Sequence, residues 1–481
     1  MLKIFYNLFN SLELQNIPFC NWKGHYASVE HLEGRGDLDL YVPLSFKAEF
    51  EQIIKESNFK KVLSFQARHD FIEHYYGQDK DTLQFVHLHV YFKIVTGEHI
   101  SKNYILPIEQ YVQKNTESSN ILPALSQSAR INIFLVRFYL KIGSFYGLLQ
   151  YFRELKKYTS EWKSFDQSTE STCLPDLELS KNEIDYLRYV YKTGSIFKQI
   201  YFSLRLKFKL RKFRRRSFIK HQIYKISNFM IRFLNKLFWK KKKLFPSGIV
   251  VAICGLDGSG KSTLVSNLIK TYSIHFSVKV FHLGRPHATG LTYIFKPIIL
   301  IISIFRSLRA SKTSRTRSTQ PSSVSIIYAF RSVLLAYERE ALTKKAHKAS
   351  KNGYLIICDR YPGLNNGKMD SPRIPFNQSK GWIYQLLFKT EQKLYKKILP
   401  ADIIFNLEVP LEIALKRNQE RIKFGKETEQ ELRDRFLLNA GAEFLAKQKK
   451  TIDASISSQE LLALVNQSLW ASINTNNKKN L

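Results

Sequence analysis

Residues 37–42, DLDLYV, alternate polar and apolar side chains at every step, and that period of two predicts a strand with one face in a core. A helix-like segment precedes it and a second one follows. Residues 71–76 and 83–92 are rich in β formers and are separated by GQDKD, a run of turn residues, which predicts a β-hairpin. Together these elements predict an α+β domain over residues 1–125. From 126 to 200 the apolar spacing becomes mostly helical, interrupted by TSEWKSFDQSTESTCLPD, which reads as a loop. Between 201 and 246, Ile219, Ile223, Ile226, Met230, Phe233 and Leu237 share one face of a helical wheel, with Lys220, Lys225, Arg232 and Lys236 elsewhere. That pattern predicts a basic amphipathic linker helix. From 247 to 475 short, continuously apolar runs such as IVVAIC and YLIIC alternate with helical stretches, as in an α/β domain built on a parallel sheet.

Composition sharpens this outline. A chain of 481 residues with 44% hydrophobic and 14% aromatic side chains can bury more than one core, which excludes global disorder. Its 75 basic against 40 acidic residues give a formal charge of +35, a field that attracts nucleotides, nucleic acid or anionic lipid. Much of the excess comes from residues 186–256, which contain no Asp or Glu. The apolar face of the linker helix can pack on a flanking domain or lie on an anionic membrane, and both readings stay open. No base-reading module accompanies the charge, which counts against nucleic acid.

The cysteines, Cys20, Cys173, Cys254 and Cys358, are too scattered for a zinc site, and Cys254 and Cys358 end apolar runs as core thiols of a reducing compartment would. The amino terminus lacks the pattern of a secretion signal, and the longest apolar run, residues 298–305, is far short of the roughly 20 needed to cross a bilayer. The expectation is a cytoplasmic protein, with peripheral contact at the inner face of the membrane and a homodimer both allowed.

The chemistry is concentrated after residue 248. There IVVAIC runs into Gly255-Leu-Asp257-Gly258-Ser259-Gly260-Lys261-Ser262-Thr263, followed by the helical LVSNLIK. This is a phosphate-binding loop in the strand–turn–helix context it requires. Glycines let backbone N–H groups converge on phosphate oxygens, and the helix start adds its positive dipole end. Lys261 is placed to bridge β- and γ-phosphates, and the Ser262 hydroxyl to ligate magnesium. ATP and Mg2+ are the expected cofactors.

The loop GLDGSGKST, with Asp257 inside it, resembles that of thymidylate kinases, in which an acid at that position faces the acceptor's sugar. The likeness continues in RSVLLAYERE (331–340), in GYLIICDR (353–360) followed by Tyr361-Pro362, in LPADIIFNLEVPLEIALKRNQER (399–421) and in TIDAS (451–455). It implies a three-layer P-loop kinase fold over about residues 247–470. It also implies acceptor contacts from Asp257, Arg331, Arg339 and Arg360, and lid cations Arg417 and Arg421. Independently of the likeness, a carboxylate at the end of a parallel strand beside a phosphate loop is placed to hold magnesium, which makes Asp359 the candidate, and Arg360 can grip a phosphate bidentately. Lys423, Lys426, Arg433 and Arg435 add further cations to the lid stretch.

Two pieces depart from the usual pattern. One spans HLGRPHATG to SLRASKTSRTRSTQPSS, and the other is NNGKMDSPRIP (365–375). Both resemble thymidylate kinase-like proteins of bacterial surface-polysaccharide synthesis, which widens the acceptor from a nucleoside monophosphate to a sugar phosphate or glycan, held with the help of Arg285 and Arg373. A non-catalytic, ATP-binding scaffold at a membrane surface is a third reading.

In the amino-terminal domain, Gly36-Asp37-Leu38-Asp39-Leu40 puts two carboxylates on one face of a strand, as two-metal phosphoryl-transfer sites require, so Asp37 and Asp39 are candidates for a second metal site. The run resembles the GDxD strand of the nucleotidyltransferase fold, and NWKGH, with Trp22, Lys23 and Gly24, resembles related proteins of polysaccharide clusters. The usual Gly-Ser helix start is replaced by Lys23-Gly24. The strand expected to bring a third carboxylate reads FVHLHVYF, offering His87 and His89. An active transferase and a binding-only domain both remain open.

Overall fold

The computed structural model describes residues 1–64, 69–118, 122–166, 168–237, 241–284, 286, 325–419, 429–439 and 441–473. They divide into two compact units, Met1–Phe245 and Pro246–Leu481.

In the first unit an eight-stranded sheet runs in the order Lys243–Leu244, Phe59–Leu63, Ile72–Gln78, Phe85–Tyr91, Asp37–Tyr41, Cys20–Asn21, Ala124–Leu125, Thr116–Glu117. Ile72–Gln78 and Phe85–Tyr91 form the antiparallel pair that the turn residues predicted. Asp37–Tyr41 runs parallel to Phe85–Tyr91, with Asp37 opposite His87 and Asp39 opposite His89. Because strand side chains alternate, Leu38, Leu40, Val86, Leu88 and Val90 all point one way, into a core closed by Phe5, Leu8 and Leu12 of helix Lys3–Leu14 and Phe50, Ile53 and Ile54 of helix Lys47–Glu56. The same alternation turns Asp37, Asp39, His87 and His89 to the other face.

A helical layer follows, centred on Gln127–Ile142, whose residues 131–140 are all buried. The stretch read as a loop from residue 159 instead begins inside helix Leu155–Lys163, because Tyr158 and Trp162 are drawn under Phe134, with ring centroids 6.5 and 5.6 Å away. Packing of two aromatic side chains overrides the polar composition around them. Helix Phe218–Leu237 occupies the predicted amphipathic segment and lies in this first unit.

The second unit is α/β. Five parallel strands lie in the order Val278–His282, Leu355–Asp359, Ile249–Gly255, Ala401–Glu408, Ala446–Asp453, so the strand leading into the phosphate loop is central. All seven residues of Ile249–Gly255 are buried, as the unbroken apolar run requires. Val250, Ala252, Cys254, Ile356 and Cys358 pack with Ala346 and Ala349 of helix Ile326–Lys351. Alternate residues face the other way, where helices Lys261–Ser273 and Ser458–Ser472 pack together. Burying each Val or Ile of these strands contributes about 1.5–3 kcal/mol. Cys254 and Cys358 are interior thiols, as expected of residues that end apolar strands.

Candidate functional site

The phosphate loop forms where Ile249–Gly255 ends and helix Lys261–Ser273 begins. Gly255, Gly258 and Gly260 have φ of 140°, 88° and 84°, which side-chain-bearing residues avoid. Gly255 is constrained twice, since a Cβ there would lie 2.5 Å from the Leu407 carbonyl oxygen on the neighbouring strand. At Gly260 a Cβ would meet nothing within 4 Å, so the loop is open at that point. Ser262 and Thr263 are exposed on the first turn of the helix, and Ser259 is buried.

Lys261 is buried, and its ammonium donates to the Leu256 carbonyl, with Ser259 Oγ 3.5 Å and the Asp257 carboxylate 3.7 Å away. Burial, reinforced by the charge of Arg360, pushes its pKa down to about 8 against the opposing pull of Asp257. Asp257 is the electrostatic centre of the site. It accepts from Arg360 at 2.7 Å and from Arg435 of helix Glu429–Asn439. Burial alone would raise its pKa, but Lys261, Arg360 and Arg435 together hold the carboxyl below its ordinary value.

Asp359 ends the strand beside the loop strand and lies 3.3 Å from His282 Nδ1. Arg360 follows with φ of 68°, a left-handed conformation that costs about 1–3 kcal/mol and persists only where surroundings enforce it. Those surroundings are specific. The Arg360 backbone N–H donates to the Ile253 carbonyl at 3.0 Å, and its guanidinium reaches Asp257, Met369 Sδ at 2.6 Å and Asp370 at 3.6 Å. A Cβ on Gly284 would sit 2.3 Å from Arg360 Cδ, so the glycine leaves the path that Arg360 takes. The segment 365–375 thus contacts the Asp-Arg pair directly. It is fixed by Glu391, whose buried carboxylate accepts the backbone N–H groups of Arg373 and Ile374 at 3.0 Å each.

Arg339, expected among the acceptor contacts, is placed in the interior of the second unit. It is fully buried, and its five N–H donors end on Leu283 O, Gly284 O, Asp370 O, Tyr395 Oη and Asp370 Oδ1 at 2.6–3.0 Å. No donor is left for an acceptor, so Arg339 holds the 365–375 segment in place. Arg331, two turns earlier on the same helix, is exposed. Arg417 donates to the Ala454 carbonyl at 2.8 Å, bracing the turn after strand Ala446–Asp453. Arg433 pairs with Glu429 of its own helix at 2.7 Å. Arg421, Lys423, Lys426, Arg285 and most of the 285–324 piece lie outside the described residues. The sequence singled out Arg435 only as one lid cation among several and gave no signal for Asp370 or Gly284.

Ser262 and Asp359 together offer a hydroxyl and a carboxylate oxygen, a hard donor set that suits Mg2+ with water completing its shell.

In the first unit the strand carboxylates face cations and imidazoles. His87 Nδ1 hydrogen-bonds Asp37, and His89 Nδ1 and Lys23 Nζ lie 3.0 and 2.9 Å from Asp39. Lys23 and Lys102 both donate to Tyr91 Oη, at 2.7 and 3.1 Å, and Arg137 pairs with Glu161 at 3.0 Å. Burial, then Lys102, pushes His89 down to about 3, and burial with Arg137 and Lys23 pushes Lys141 down to about 7. Among the described residues no group of three or more His, Cys, Asp or Glu is arranged to hold a metal ion. Asp37 and Asp39 each already have protein partners, and the cations beside them, Lys23 and Lys102, are half-buried. Elsewhere in the unit Tyr151, Thr159, Trp162, Lys163, Tyr191 and Lys192 line a groove of about 520 Å³.

No family model matches the chain. Two Escherichia coli (strain K12) proteins are similar to it over a limited stretch. "Uncharacterized ATP-binding protein YghR" is 27% identical over 172 residues, 35% of this chain and 68% of the relative. "Uncharacterized ATP-binding protein YghS" is 30% identical over 152 residues, 31% of this chain and 62% of the relative. Among solved structures, thymidylate kinase from Candida albicans aligns with 47% of this chain and 90% of its own at 19% identity, with a TM-score of 0.28. Deoxyadenosine kinase from M. mycoides with bound dATP aligns with 46% of this chain and 98% of its own at 16% identity, with a TM-score of 0.25.

Proposed function

We propose that Pro246–Leu481 is an ATP-dependent phosphotransferase that moves the γ-phosphate of ATP onto a phosphorylated acceptor of the nucleoside monophosphate kind. The observation that carries this reading is the convergence of Lys261, Arg360 and Arg435 on Asp257 within a glycine turn at a helix start. That the two E. coli relatives are described as ATP-binding supports the donor. Phosphoryl transfer passes through a loose transition state with charge on the peripheral oxygens, so fixed cations contribute more than a base does.

In this reading the loop amides and Lys261 bind the triphosphate, Arg360 orients the acceptor phosphate, and Asp257 fixes both cations while facing the acceptor. Arg435 brings helix Glu429–Asn439 against the loop, excluding water. Ser262 and Asp359 would hold magnesium, which would neutralise phosphate charge. An acceptor oxygen attacks the γ-phosphorus, its bond to the bridging oxygen breaks, and ADP departs with that oxygen. ADP release is to be measured with dTMP, other nucleoside monophosphates, sugar phosphates and oligosaccharides, for the wild type and Lys261→Ala. Failure of the wild type to bind any adenine or guanine nucleotide by calorimetry with Mg2+ present would end this reading.

The aromatic groove in the first unit favours a second reading, in which the acceptor is a glycan of a surface-polysaccharide pathway, since flat aromatic faces with polar edges suit a sugar ring. Turnover confined to dTMP would remove it.

A further inference from the structure

Three helices of the first unit expose apolar side chains, and on two of them polar side chains anchor the inner face. On Phe218–Leu237, the polar residues His221, Lys225, Asn228 and Arg232 recur at helical spacing and face inward. His221 Nε2 lies 2.8 Å from Ser101 Oγ, Lys225 Nζ 2.6 Å from Glu98, and Arg232 Nη1 2.9 Å from His99 Nδ1, while Asn228 is buried. At about 100° per residue the apolar stripe Ile219, Ile223, Ile226, Met230, Phe233 and Leu237 lies nearly opposite that set. Its members are between 49% and 72% exposed.

Helix Ile196–Lys209 repeats the pattern in part, with Leu206 in the core beside polar residues. Gln199, Ser203 and Lys207 are buried, with Ser203 donating to the Tyr139 carbonyl, whereas Phe197, Tyr201, Leu204 and Phe208 are exposed. Phe145, Leu149 and Phe152 of helix Phe145–Arg153 are exposed as well. The three helices share anchors: Glu98 holds both Lys207, at 3.6 Å, and Lys225, and Arg232 lies beside Tyr146.

Apolar surface on this scale, held outward by specific polar anchors, marks an interaction face. The charge around it selects the partner. Residues 186–256 carry no Asp or Glu, and Lys198, Arg205, Arg211, Lys220 and Lys241 are exposed near the stripes in sequence. A protein partner would need an apolar surface ringed by acid, whereas an anionic bilayer supplies both features everywhere. Each Lys or Arg near such a surface contributes about 1 kcal/mol. No helix among the described residues is long and apolar enough to cross a membrane, which leaves an orientation in the interfacial plane.

We propose that this face of the amino-terminal unit docks on an anionic phospholipid bilayer, with helix Phe218–Leu237 lying in the headgroup plane and its apolar stripe among the acyl chains. The inference is independent of the kinase reading.

The test is flotation of the full chain with vesicles of phosphatidylcholine alone and of phosphatidylcholine mixed with phosphatidylglycerol. Wild type floats with the anionic vesicles and is released by high salt. The double variant Ile226→Glu, Met230→Glu, which changes only exposed side chains, loses at least about tenfold in binding. Leu464→Glu, an exposed apolar position on helix Ser458–Ser472, retains it. Circular dichroism and thermal unfolding show that each variant is folded. The proposal fails if wild type does not float with anionic vesicles, or if the double variant floats equally well. It fails also if light scattering shows that the stripe only joins two copies of the chain, with no vesicle binding.

Discussion

Arg435 donates to the carboxylate of Asp257, 178 residues earlier, so a helix near the end of the chain closes on the turn that carries the phosphate loop. If this contact positions the lid, Arg435→Ala lowers kcat by about tenfold, roughly 1.4 kcal/mol, and leaves ATP affinity within a factor of about two. Asp257→Asn has a split effect. It removes the carboxylate that Lys261 and Arg360 face, so ATP binds at least as tightly, while transfer falls because both cations lose their orientation. Calorimetry and single-turnover assays on the two variants separate these effects, and unchanged turnover in both would show the ion pair to be incidental.

Lys261→Ala is expected to reduce transfer by about 100-fold or more with the fold intact. Its ammonium is buried against the pull of desolvation, so thermal unfolding of the variant should match or exceed that of wild type. A soluble variant with wild-type turnover would contradict the assignment.

Arg339 and Arg331 separate scaffold from surface. Arg339→Lys cannot reproduce five donors in a plane and leaves carbonyls of Leu283, Gly284 and Asp370 short of a donor, so we expect the second unit to lose about 1–3 kcal/mol for each acceptor left unpaired. Arg331→Ala, at an exposed position, should change stability by less than about 0.5 kcal/mol, and any effect should appear in acceptor KM. Denaturant titration of both proteins decides between the roles.

Gly284→Ala places a methyl where Arg360 Cδ now runs. Displacing that guanidinium should lower kcat by about tenfold while ATP affinity stays the same, and Gly284→Ser should behave alike. Equal activity in Gly284→Ala and wild type would show that Arg360 has room to spare.

Lys141 gives a pH signature. Its pKa falls from 10.5 to about 7 through burial and the neighbouring Arg137, Lys23 and Lys157, opposed by Glu161. Between those two values the unfolded chain binds the extra proton, so stability rises as pH climbs from about 7 to about 10. Lys141→Met removes that contribution: the variant is more stable than wild type near neutral pH, and the difference shrinks toward pH 10. Parallel urea titrations across that range measure it, and a difference independent of pH would place the lysine in solvent.

Much of the loop was legible because its requirements are local. Gly255 to Thr263 need only a preceding strand and a following helix, and both are written in adjacent residues. The Asp37 strand and its hairpin partners were legible for the same reason. What the sequence could not reveal depends on distant packing. Nothing around Gly284 indicates that Arg360 passes over it, and nothing in NNGKMDSPRIP indicates that Asp370 meets Arg339 and Arg360. Helix periodicity identified the stripe from Ile219 to Leu237 but not its direction, because a wheel is silent on which face the domain grips. That was decided by Glu98, Ser101 and His99, more than a hundred residues earlier.

Glu98 therefore acts as a rivet. A single interior carboxylate fastens lysines from two different helices, and detaching either would leave a charge stranded in a poorly hydrated setting. The outward display of both greasy ridges is consequently coupled through this carboxylate. A chain that loses this one acidic group would leave two lysines without their shared counter-charge, and the grip on each helix would pass to its remaining partners, Ser101 and His99 for one and the Tyr139 carbonyl for the other.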